Sequence, residues 1–325
     1  MKMNESNVPL EDRRCIQQID KSRSVPVYWI NLQKSQFRRS YYSYQMDNMG
    51  FENQRIKATI RTDSVLIKSV IDVRPLVQHT PFELSCVISH LIAIHTAIYD
   101  PNPKRSENPF ALITEDDVDF EMDVDLLTLA ENAPPGFGTL QLITSNSVYV
   151  RKLWLSFAQK LTAAKSLNKF QSSFPHESIW SARTHNSPYW STQAYMINKN
   201  VVRPFIDKVV NYNNATGEYS ITIVNPSEKE FPCRLKKGCY LPYRIVSDLY
   251  IFSGCQPAYI TNIPLFNGAL VGANSTIHTR KNNDVYHAKA FKEIAEILQD
   301  VRNNVTLLPD YIRVKKNCNR KGSKI

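Results

Sequence analysis

Apolar residues in this chain fall into short runs divided by stretches of helical spacing, an alternation that predicts an α/β protein. Val25 to Leu32 reads as the first strand, and QKSQFRRSYYSYQMDNMG after it has helical spacing with Gly50 as its stop. Arg55 to Ile60 supplies a second strand and completes an opening β-α-β unit. Thr80-Pro81-Phe82-Glu83 has the make-up of a helix start: a capping Thr, Pro in the first turn and Glu placed for a capping box. The helix that follows puts Cys86, Leu91, Ile94 and Ile98 at core spacing, so His90 and His95 are expected to be packed or surface histidines rather than metal ligands. Phe110 to Ile113 predicts a buried strand. Further strands are expected in FGTLQLITSN and at Ala194 to Ile197, the latter followed by a helix. Residues 151–185 read as a helix and then a mobile loop, 211–245 as an insertion or lid, and DVYHAKAFKEIAEILQDV as an amphipathic helix.

These pieces divide the chain into a polar lead-in over 1–24, a main domain over 25–280, and a helix with a basic tail over 281–325. With 325 residues, 42% of them hydrophobic, a sizeable core can be buried. No apolar run is read as approaching the roughly 18 residues of a membrane span. The charged N-terminus lacks an apolar signal segment, so a cytoplasmic protein is expected. Six scattered cysteines form no C-x-x-C pair and are expected to be reduced. The net charge of +10 suits nucleic acid, anionic nucleotides or an acidic membrane surface, and does not choose among them. Nine glycines, with no GxGxxG or GxxxxGK[ST], leave no glycine-rich loop to wrap phosphates.

Chemistry concentrates where the strand from Phe110 ends in Glu115, Asp116, Asp117 and Asp119. Open α/β sheets bind ligands at that end of their strands. Like charges this close repel unless a cation lies among them, and hard oxygen ligands suit Mg²⁺ or Mn²⁺ bridging to phosphates. A solvated acidic turn is the plainer alternative, and the buried strand feeding the turn argues against it. Arg38 and Arg39, in the first turns after the first strand, are placed to reach a nucleotide above the sheet edge; a solvated basic helix fits equally. Asp248 lies between apolar groups in RIVSDLYIF, where a half-buried acid needs a function.

Taken in order, the motifs resemble glycosyltransferase family 25, the lipooligosaccharide and procollagen galactosyltransferase family. An Ile-Asn-Leu strand with a following Arg pair is matched by Ile30, Asn31, Leu32, Arg38 and Arg39, and an Arg-Ile-x-Ala segment by Arg55 to Ala58. A Gly-Cys-x-x-Ser-His helix is matched by Ser85, Cys86, Ser89 and His90, and Glu-Asp-Asp-Val stands intact at Glu115 to Val118. Ser191, Thr192 and Tyr195 match a Gly-Thr-x-x-Tyr strand, and Val246 to Tyr250 a late Val-Asp-like element. Ser85 and Ser191 replace family glycines, which can narrow a site and change which sugar fits.

The resemblance implies a GT-A type nucleotide-sugar-binding fold, with a mixed, mostly parallel central sheet flanked by helices. It also implies inverting, metal-assisted transfer of galactose or a related hexose from a UDP-sugar to a hydroxyl of a glycan or protein acceptor. Carried onto matching positions, it places Asn31, Arg38, Arg39, Arg55, Asp116 and Thr192 at the donor, and Glu115 and Asp117 on Mn²⁺ or Mg²⁺. Asp248 becomes the base that takes the acceptor's proton, with Glu177 and Asp119 next in line. No specific nucleic acid is expected as a partner, and peripheral contact with an acidic membrane is compatible with the charge. Alternatives are a metal-dependent phosphoesterase using the same acids, or a basic nucleic-acid-binding or catalytically degenerate protein.

Overall fold

β1 (Val27–Asn31), α1 (Gln36–Met49) and β2 (Asn53–Lys57) form the expected opening unit, with the two strands parallel. A computed structural model describes residues 24–60, 81–121, 124–166, 179–183, 187, 189–223, 246–268 and 281–303. Next come α2 (Pro81–Ile98), the short α3 (Pro103–Ser106) and β3 (Phe110–Glu115), which joins the free side of β1 in parallel. β4 (Val118–Asp119), α4 (Leu126–Glu131), β5 (Thr139–Gln141), α5 (Ser147–Ser166), β6 (Trp180–Arg183) and β7 (Ala194–Asn198) follow. The chain continues through α6 (Lys199–Val209), the hairpin of β8 (Val210–Asn213) and β9 (Glu218–Ile221), and α7 (Ser247–Gly254). The last described elements are β10 (Ala258–Thr261), β11 (Asn267–Gly268) and α8 (Lys281–Asn303).

The main sheet has the order β2-β1-β3-β7-β5-β10-β6. β1, β2, β3, β5 and β10 run in one direction and β7 and β6 against them, so the sheet is mixed and mostly parallel. Alternating side chains feed two apolar layers. Trp29, Leu112 and Met196 pack with buried residues of α1, α5 and α8, while Tyr28, Ile30, Ala111 and Ile113 pack with those of α2, α6 and α7. Because both faces are covered, β1 and β3 read in sequence as unbroken apolar runs.

Several elements differ from expectation. β2 starts two residues earlier, at Asn53, and α5 starts at Ser147 rather than 151. A strand, β6, stands inside the expected mobile loop; its buried positions are Trp180 and Arg183, on opposite faces, and a buried arginine disguises a covered site as a polar one. The front of the expected lid is the β8–β9 hairpin, and residues 224–245 lie outside the described set. The expected cap at Thr80, the first 23 residues and the tail from 304 also lie outside it. α8 places Ala290, Ile294 and Leu298 in the same apolar layer as Leu112. α2 is long and apolar enough to cross a membrane, contrary to the sequence reading; with twelve of its 18 residues buried, it packs here as the core helix of one sheet face.

Position in the sheet now matters for chemistry. β2 and β3 flank β1 on opposite sides, so the crevice beyond the carboxyl ends of β1 and β3 is a topological switch point, where such sheets take ligands.

Candidate active site

At the end of β3 the strand's alternation sorts the acids onto two sides. Asp116 turns toward α1. Its Oδ2 accepts the Asn31 side-chain amide at 2.5 Å, and its Oδ1 accepts Arg38 Nη1 at 3.1 Å. Asn31 Oδ1 in turn accepts Arg55 Nε at 2.9 Å. Thus Asn31, Arg38, Arg55 and Asp116, separate in sequence, form one hydrogen-bonded network across the ends of β1, β2 and β3. Arg39 lies close enough that, after burial, its like charge is the next cause lowering the Arg55 pKa.

Asp117 sits in the turn itself, accepting Gln193 Nε2 on Oδ1 at 3.2 Å and Arg38 Nη1 on Oδ2 at 3.3 Å. Burial first, and the charge of Glu115 second, push its pKa up to about 7 against the pull of Arg38. Burial alone would discourage the Arg38 guanidinium, but Asp117, Asp116 and Glu115 together hold its pKa up. One guanidinium shared by two carboxylates, with a third beside them, leaves negative charge in excess. That donor set fits a hard divalent cation at Glu115 and Asp117. Asp119 turns away and accepts the Tyr41 hydroxyl at 2.9 Å, and Glu177 lies outside the described residues.

Glu115 projects to the opposite side, toward α2. Its Oε1 accepts the Thr192 hydroxyl at 3.2 Å and lies 3.5 Å from His90 Nε2. Burial opposes ionisation here, yet His90, Thr192 and Arg38 outweigh it and hold Glu115 below its ordinary pKa. His90 Nδ1 stands 3.0 Å from the Tyr195 hydroxyl, so the ring packs on the sheet as expected while its other nitrogen reaches the acid cluster. Thr192 Oγ1 is also 2.9 Å from Ser247 Oγ, which Cys86 Sγ approaches at 3.5 Å.

Through Ser247 the site reaches α7. The N-cap of this helix is Val246, with no side-chain cap, so Asp248 is free of capping duty. Its Oδ1 instead accepts the backbone N–H of Ser191 at 2.8 Å. Burial raises the Asp248 pKa, and Arg183 opposes the rise. Ser191 has φ 129°, the one positive value at a non-glycine among the described residues, in the place of a family glycine. Behind it, Arg183 donates to Gln141 Oε1 and to the carbonyls of Tyr189 and Asp248, and stacks on Phe252 at 4.3 Å. Being 4% exposed, it has its pKa lowered to about 10 by burial.

The family described as glycosyltransferase family 25 (LPS biosynthesis protein) matches residues 24–220, well over half of the chain. The chain belongs to glycosyltransferase family 25. Among curated proteins none matches it. This family 25 protein is thus a glycosyltransferase, acting in general terms between a sugar donor and a glycan acceptor. The matched span carries every crevice residue from Asn31 to Tyr195 and ends before α7, so Asp248 rests on geometry.

Asn31, Arg38, Arg55, Glu115, Asp116, Asp117 and Thr192, named from the sequence, lie together in one crevice. Gln193 and Arg183 are not among the residues named, because only folding supplies their partners, and His90 is expected apart from the acids. The four-residue spacing of Cys86 and His90 on a helix was the available signal, since it puts both on one face.

Proposed function

We propose that this family 25 protein transfers a hexose, galactose or a close relative, from a UDP-sugar to a hydroxyl of a glycan or protein acceptor with inversion, assisted by Mn²⁺ or Mg²⁺. The observation that carries this reading is the pairing of an acid cluster at the switch point with Asp248, linked to it through Thr192 and Ser247. Glu115 and Asp117 would hold the cation, which when bound supplies charge neutralisation for the departing nucleoside diphosphate.

The protein's own groups do the rest. Arg38, already turned toward the carboxylates, can exchange one of them for a diphosphate oxygen in a charge-assisted hydrogen bond. Asn31 and Arg55 offer the polar edge beside it for the nucleoside. Asp248, held by the Ser191 N–H, takes the proton of the acceptor hydroxyl as that oxygen attacks the sugar from the face opposite the leaving diphosphate. Its raised pKa makes it a better base than an exposed aspartate.

A panel of sugar nucleotides with Mn²⁺, scored for nucleoside diphosphate release and thermal stabilisation, tests the reading. One UDP-hexose should stabilise the protein and be consumed faster when acceptor is added. Hydrolysis of simple phosphate esters with no response to any sugar nucleotide would replace it with a phosphoesterase.

A further inference from the structure

We propose that Cys86, His90 and Glu115 form a site for a thiolate-binding divalent cation of the Zn²⁺ class, which shares Glu115 with the hard-cation pair and differs from it in its sulfur and imidazole ligands. The sulfur, imidazole and carboxylate ligand atoms of these three residues lie within 4.8 Å of one another. Tetrahedral Zn²⁺ with bonds of about 2.0–2.3 Å separates its ligand atoms by roughly 3.4–3.6 Å. The His90–Glu115 separation of 3.5 Å already meets that, and small side-chain rotations bring in Cys86.

A second observation points to a ligand independently. His90 is fully buried, and its Nε2 has no hydrogen-bond partner, a costly state for a buried polar atom. The other nitrogen is committed to the Tyr195 hydroxyl at 3.0 Å. With an ion bound, Nδ1–H donates to Tyr195 and the Nε2 lone pair takes the ion in place of its approach to Glu115, the arrangement by which a neighbouring group fixes the tautomer of a metal-binding histidine.

Cys86 completes the set and decides the class of ion. Its Sγ contacts Ser247 Oγ at 3.5 Å; on binding, the thiol proton leaves to solvent and the ion takes its place, while the Ser247 hydroxyl can turn to donate to the thiolate. Thiolate with imidazole selects Zn²⁺ or Co²⁺ over Mg²⁺ and Mn²⁺. Three protein ligands leave a fourth position open beside the Thr192 and Ser247 hydroxyls. The ion would clamp α2 to the end of β3 whether or not the protein transfers a hexose.

Co²⁺ replaces Zn²⁺ as the probe, added to chelator-treated full-length protein. A thiolate-to-Co²⁺ charge-transfer band at one ion per chain is expected. Cys86→Ser should lose it, and His90→Gln and Tyr195→Phe should each weaken Co²⁺ binding ~10-fold or more. Asp117→Asn should keep the band while losing Mn²⁺ binding, which separates failure of this site from failure of the hard-cation reading. A variant with serine at Cys15, Cys233, Cys239 and Cys318 should also keep it. No band in the parent, or one that survives Cys86→Ser or is lost in the four-serine variant, overturns the proposal. Circular dichroism monitors folding, and loss of the band in Cys86→Ala decides if Cys86→Ser does not fold.

Discussion

On the proposed mechanism, replacing Asp248 by Asn removes the base and little else. The bond that holds this side chain is accepted by Oδ1 from the Ser191 N–H, and an Asn carbonyl oxygen can accept it in the same place. The loss there is the difference between a charge-assisted and a neutral bond, about 1 kcal/mol, and is offset because a buried charge is removed as well. Arg183 keeps its bonds to Gln141 and to the Tyr189 and Asp248 carbonyls, so the loop and α7 remain tied together. Thermal stability should therefore change by a few degrees at most. Turnover should fall by about 10²- to 10⁴-fold, or about 2.7–5.4 kcal/mol of barrier, with nucleotide affinity nearly unchanged. Steady-state release of nucleoside diphosphate, nucleotide titration and a melting curve measure the three quantities. Turnover by the parent should also rise with pH through the raised pKa of Asp248, because only the ionised carboxylate accepts a proton, and that limb should vanish in the variant. Near-normal turnover in Asp248→Asn would refute the assignment, and donor affinity lost in step with rate would move Asp248 into the donor site.

In chelator, Asp117 keeps a proton up to about pH 7 in the folded state, whereas an unfolded Asp releases it near ~4. The native state binds more protons in that window, so stability should fall as pH rises through it; Asp117→Asn should flatten the slope in pH-dependent melts and abolish Mn²⁺ stabilisation. At Ser191, φ 129° penalises any side chain, so Ser191→Gly should be more stable than Ser191→Ala by ~1 kcal/mol, the reverse of the usual order, and an equal or inverted pair in denaturant titrations would show no strain there. A Cβ added at Gly138 would stand 2.7 Å from the Gln256 carbonyl oxygen and nearer still to that of Cys255, both backbone atoms. Gly138→Ala should lower stability by about 1–3 kcal/mol, and an unmoved denaturation midpoint counts against the close approach.

What the sequence determined by itself is whatever depends on neighbours along the chain. The runs at Val27–Asn31 and Phe110–Glu115 are apolar because both sheet faces are covered, and that burial is written locally as unbroken hydrophobicity. The acids come directly after β3, so their place at a strand end was legible, and with it the crevice holding Asn31, Arg38 and Asp116. Tertiary structure decided which charges meet. Arg183 made β6 look like loop because a buried guanidinium is tolerated only when distant partners satisfy it, and Gln141 and the Asp248 carbonyl arrive from other strands and helices. Asp248 is expected as the acceptor's base from its place among apolar residues and in the family-like order, but only folding sets its carboxylate on the Ser191 N–H, 57 residues away. Cys86 and His90 share a helix face by local periodicity, but only β3, paired beside β1 under α2, brings Glu115 to them. Periodicity tells which way a side chain faces; what it faces depends on packing between segments remote in sequence, and no local pattern encodes that.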